Sequence, residues 1–119
     1  MTNTQNPHAL LPLTPAVFHI LLALSDGAKH GYVIMQEVKN LSQGQVKMGP
    51  GTLYGSIKRM LEAGLIEETD TPTSAPDEDD ERRRYYQLTD FGQHVMRAEA
   101  VRLTQLVSAI QSKQILGMI

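Results

Sequence analysis

A mainly α chain carrying one small β-hairpin is the fold class that the sequence predicts, on three observations. Apolar residues recur at helical spacing in four stretches: Val17, Ile20, Leu21 and Leu24; Ile34, Val38 and Leu41; Leu53, Ile57, Met60 and Leu61; and Met96, Ala100, Leu103, Val107 and Ile110. Between the third and fourth stretches, residues 65–69 and 83–88 are short β-prone runs suited to a two-stranded ribbon. Capping and turn residues punctuate the chain at each boundary between these elements.

The first helix begins at Thr14-Pro15, where the hydroxyl can accept from a free backbone N–H and proline suits the first helical position. Asp26-Gly27 ends it. A second helix runs from about Gly31 to Gln43, with Gly44 as a left-handed stop and residues 45–47 as a short extended link. The third helix has Gly49 at its N-cap and Pro50 in its first turn, while Met48 and Leu53 stand at the spacing of a hydrophobic staple. A rotation of about 100° per residue turns Leu53, Ile57, Met60 and Leu61 inward and leaves Gly51, Thr52, Gly55, Lys58 and Arg59 on the other side. A mid-helix glycine costs about 1 kcal/mol relative to alanine, so Gly55 predicts a close approach by another backbone or by DNA.

In the ribbon, Tyr85 and Tyr86 point to opposite faces, which predicts one in the core and one free. The tip, residues 70–81, contains five consecutive acids at 77–81 and no large apolar anchor, and is expected to be mobile. Thr89-Asp90 then caps a last helix whose seam of Met96, Ala100, Leu103, Val107 and Ile110 is widened by Val101 and Leu106. Running to about Gln114, this helix would extend about 37 Å at 1.5 Å per residue. So small a body cannot cover it, which predicts a homodimer through Met96, Ala100, Leu103, Leu106, Val107 and Ile110.

Three helices, a ribbon and a long helix in this order make a winged helix-turn-helix with a C-terminal dimerisation helix. Residues 1–12 form a flexible tail, 13–88 the winged helix with its wing at 65–88, and 89–119 the dimerisation helix and tail. Two third helices related by a two-fold axis would enter successive major grooves about 34 Å apart, so the expected partner is an inverted repeat in duplex DNA.

Charge distribution agrees with that partner although the net charge is −2. Between residues 29 and 65, five bases (Lys29, Lys39, Lys47, Lys58, Arg59) face two acids, while eight acids are concentrated between Glu67 and Glu81. Arg82, Arg83 and Arg84 follow, placed either to grip phosphate beside the third helix or to neutralise the acidic run. The chain has no cysteine, which excludes disulfides and thiolate metal sites. Its longest apolar run, residues 20–24, is far short of the roughly 20 residues that cross a bilayer, and its start lacks the pattern of a secretory signal, so a cytoplasmic protein is expected. His8, His19, His30 and His94 show no metal spacing, and no catalytic constellation or cofactor motif occurs, so neither enzymatic activity nor a cofactor is expected.

Several motifs in order resemble the PadR family of transcriptional regulators: Leu13-Thr14-Pro15, His30-Gly31-Tyr32, Gly51-Thr52-Leu53-Tyr54, Arg59-Met60-Leu61-Glu62-Ala63-Gly64-Leu65-Ile66 and Arg83-Arg84-Tyr85-Tyr86-Gln87-Leu88-Thr89. The resemblance implies that His30, Tyr32, Thr52, Tyr54, Ser56 and Lys58 lie at or near DNA. By their own position, Tyr32 and Tyr54 stand at the border of the core stripe, where each can pack or face outward. The single C-terminal helix is similar to the short subfamily, whose members are dimers that mostly repress transcription and respond to phenolic or other small apolar effectors near the dimer interface. Two features depart from the family: the final helix is poor in aromatic residues, and the wing tip is acidic. A winged helix acting as a protein-interaction module, or as a ligand sensor with secondary DNA binding, is the alternative.

Overall fold

The helices that begin at Pro15, Pro50 and Asp90 start where the sequence supplies a cap or a first-turn proline, whereas the one that follows His30 starts without a side-chain cap. The computed structural model of the protein describes residues 6–72 and 83–118, excluding the side chain of Met118. Helix α1 spans Pro15–Ala23, strand β1 Lys29–His30, α2 Gly31–Leu41, α3 Pro50–Glu62, β2 Ile66–Thr69, β3 Tyr85–Leu88 and α4 Asp90–Ser112. Thr14 Oγ1 accepts from the Val17 N–H at 3.2 Å, and Thr89 Oγ1 accepts from the Gly92 N–H at 2.9 Å. Gly49 caps α3 without a side chain, leaving its first turn of backbone donors open. Past α2 the chain turns through Gln43 (φ 56°) and Gly44 (φ 80°), the left-handed exit that glycine favours.

Strand β1 is a sheet element that the sequence did not predict. Two residues are too few to show any period, yet Lys29 and His30 pair with Tyr86 and Tyr85, so the sheet has three antiparallel strands in the order β1-β3-β2. With β3 in the centre, both tyrosines are buried, which corrects the expectation that one is free. Tyr86 enters the core with Ile20, Leu21, Ile34, Val38, Leu53, Ile57, Met60, Ile66, Phe91 and Val95. Tyr85 occupies the other face, with its ring edge-on to His30 at a centroid distance of 5.3 Å.

Helix α4 lies on this body only through its first half, where Phe91, Gly92, Val95 and Glu99 are buried. The segment read as a flexible tail holds a 3-10 turn at Pro7–Leu10, capped by Asn6 and packed against α4. Just beyond it, the Leu13 N–H donates to Glu99 Oε2 at 2.9 Å. This buried acceptor on α4 and the packing of Leu11 and Leu13 on the core hold a stretch whose sequence shows no apolar period.

Candidate nucleic-acid interface

The outward face of α3 follows from its inward one. Leu53, Ile57 and Met60 are buried, so the helical rotation leaves Gly51, Thr52, Tyr54, Lys58 and Arg59 exposed. Tyr54 both packs and faces outward: it is half exposed, yet its ring crosses the first residue of α2. A Cβ on Gly31 would overlap the phenol, coming within 2.8 Å of its Cζ. Tyr32 is exposed, and its hydroxyl accepts from Gln36 Nε2 at 3.0 Å. The start of α2 and the open face of α3 are therefore one continuous surface with two aromatic hydroxyls.

Two expected contact residues lie beneath that surface. Ser56 is 3% exposed because it stands one turn from Leu53 and Met60 on the core side, and its Oγ accepts from Arg59 Nη2 at 3.4 Å. His30 is buried at the N-cap of α2, where its Nε2 accepts from Arg83 Nη1 at 2.8 Å. A guanidinium only donates, so the imidazole nitrogen is the acceptor in this pair.

The cations divide in the same way. Lys29 is turned inward with 14% of its side chain exposed, ion-paired with Asp26, bonded to the Ala23 carbonyl at 2.5 Å and 3.5 Å from Glu37. It ties the end of α1 to α2 rather than adding to an outer field. Its hydrogen bond and charge hold the Asp26 carboxyl below the usual carboxylate range. Lys39, Lys47, Lys58 and Arg59 remain on the surface. In the wing, Arg83 joins His30, and Arg84 lies 3.4 Å from Glu68 in an exposed pair that contributes little to stability. Arg82 and most of the acidic tip lie outside the described residues. Burial, reinforced by the nearby Glu68 charge, raises the Tyr86 phenol above its ordinary value.

The seam of α4 is only partly covered. Met96 packs against the core and Leu103 and Ile110 are half-buried, whereas Ala100 is exposed and Leu106 and Val107 are each 48% exposed. Beside Met96, an open groove of about 610 Å³ is lined by Ser25, Leu88, Gln93, His94 and Arg97. Among the described residues no His, Cys, Asp and Glu group could hold a metal ion, and no helix is long and apolar enough to cross a membrane.

Known proteins share this fold. A PadR-family regulator from Clostridium difficile superposes with a TM-score of 0.67 at 20% identity, covering 83% of this chain and 97% of that one. RosR of H. salinarum gives 0.60 at 22% identity, covering 91% and 94%. BpsR of Bordetella bronchiseptica, whose DNA binding is regulated by 6-hydroxynicotinic acid, gives 0.60 at 22% identity, covering 82% and 64%. An uncharacterised transposon protein of Streptomyces fradiae is 32% identical over 87 residues, 73% of this chain, which spans only 22% of that relative's length. The model of the "Transcriptional regulator PadR-like family" matches residues 20–98, from the middle of α1 into α4. That match takes in well over half of the sequence, including both α2 and α3 and the wing, and the chain belongs to the PadR-like family of transcriptional regulators.

Proposed function

We propose that the protein is a dimeric, sequence-specific DNA-binding repressor released by a small apolar or phenolic effector. The open face of α3 carries the reading: small residues at its start, Gly51 and Thr52, allow close approach to a phosphate, and Lys58 and Arg59 stand exposed with no ion pair among the described residues. A protein-interaction module has no need of bases on that face. Replacing Lys58 and Arg59 together by alanine is expected to weaken specific DNA affinity at least about tenfold and to lower the salt slope by about 0.9 for each phosphate that is no longer neutralised, with the dimer retained. Unchanged affinity in a titration over several salt concentrations would contradict the reading.

The arm supports the dimer. At 1.5 Å per residue, the 23 residues of α4 extend about 34 Å, and Leu106 and Val107 on its distal seam are half exposed among the described residues. Leu103→Glu with Val107→Glu is expected to yield monomers by sedimentation, and a protein that stays dimeric would contradict this role for the arm. The groove beside Met96 joins apolar walls from Leu88 and Met96 to cationic Arg97, a combination suited to an aromatic acid.

A further inference from the structure

We infer that Arg59 is the base-reading residue of α3 and that it reads guanine, with Ser56 aiming it. The inference rests on the reading of α3 as the helix that enters the major groove. Side chains on an α-helix lean toward its N-terminus and lie over the residues three and four positions back, which for Arg59 are Ser56 and Gly55. A Cβ on Gly55 would have Arg59 Nη1, at 3.7 Å, as its neighbour within 4 Å. At that separation the contact is an ordinary one: the guanidinium lies over Gly55, and among the described residues no backbone from another element comes within 4 Å of that position.

Ser56 is held in the core at 3% exposure, and its Oγ accepts from Arg59 Nη2 at 3.4 Å. The exposed guanidinium is thereby anchored at one nitrogen and directed along the open face toward the N-terminal half of α3, the half of a recognition helix that meets base edges. Arg83 and Arg84 are instead bonded to His30 and Glu68 in the wing. A guanidinium fork matches guanine O6 and N7, whereas the neighbouring Lys58, a flexible point charge, suits phosphate.

The test is selection of duplexes from a randomised pool by the full-length chain, with Arg59→Ala, Arg59→Gln and Ser56→Ala alongside, followed by competition between the selected sequence and its guanine-to-adenine derivative. The unsubstituted protein is expected to select one guanine per half-site through this contact, preferring it to adenine by roughly 5- to 150-fold. Arg59→Ala leaves that position degenerate within an otherwise unchanged motif. Arg59→Gln moves the preference to adenine, whose N6 and N7 pair with the glutamine amide. Ser56→Ala lowers the discrimination several-fold while nonspecific affinity and circular dichroism stay the same, a pattern that a packing role alone would not produce.

An Arg59→Ala protein that still demands the guanine and shows only a smaller salt slope makes Arg59 a phosphate contact and overturns the inference, leaving the DNA-binding reading intact. Undiminished discrimination in Ser56→Ala removes the aiming role. Failure of the unsubstituted protein to enrich any sequence overturns both the inference and the reading beneath it.

Discussion

Gly92→Ala is expected to destabilise the protein by about 3 kcal/mol, at the upper end of overpacking costs. The Gly92 backbone crosses the chain at Leu65, and an added Cβ would fall on the Leu65 carbonyl oxygen, 2.9 Å from its carbon. Neither strand of chain is free to yield. The Thr89 hydroxyl donates to the Gly64 carbonyl at 2.5 Å, and the Thr89 N–H donates to the Leu65 carbonyl at 3.1 Å. The same hydroxyl accepts the Gly92 N–H, so any shift of α4 away from the clash breaks its own cap. For a domain of this size, a thermal midpoint lower by roughly 10 °C should result, read by circular dichroism. An unchanged midpoint would mean that α4 does not meet the end of α3 so closely. The functional consequence is geometric: this crossing sets the angle between the arm and the α3 face.

Glu99 should produce the second largest effect, and one that depends on pH. Its side chain is 2% exposed and accepts from the Leu13 N–H at 2.9 Å, from Arg102 Nε at 2.5 Å and from Arg102 Nη2 at 3.1 Å. The Arg102 hydrogen bonds lower its pKa below the ordinary 4.5, aided by the Leu13 N–H and the Arg102 charge and opposed by burial. Because the folded value lies below the unfolded one, the contribution is fully present above about pH 4.5 and is lost as pH falls through the depressed folded value. Glu99→Ala at neutral pH strands the Leu13 N–H but leaves Arg102 free to rehydrate, which should cost about 2–3 kcal/mol. Denaturation of Glu99→Gln beside the unsubstituted protein should show a difference that is largest near neutrality and shrinks toward acid. A difference that grows as pH falls would contradict the assignment.

Regular elements with a clear period or a cap were legible in the sequence. Thr14-Pro15, Gly49-Pro50 and Thr89-Asp90 mark helix starts directly, because a free first turn of N–H groups selects such residues. The inward stripe of α3 was legible too, and with it the exposure of Gly51, Thr52, Lys58 and Arg59. Features that depend on contacts between distant segments were hidden. Strand β1 exists only because β3 lies beside it, and its presence buries both tyrosines and His30. Lys29 resembles an outer base until Asp26, Glu37 and the Ala23 carbonyl surround it. Ser56 was placed near DNA by resemblance alone, although its spacing of three from Leu53 and four from Met60 would have turned it inward. Glu99 carried one local signal, Arg102 at i+3, while its decisive partner, Leu13, is 86 residues away.

Salt-dependent binding to duplex DNA tests the central claim most directly. Purified protein titrated onto DNA from its own upstream region, against nonspecific competitor at several salt concentrations, is predicted to bind a specific site with affinity falling steeply and log-linearly with salt. Binding that never rises above competitor at any salt concentration would contradict the account of α3 as a groove-reading helix.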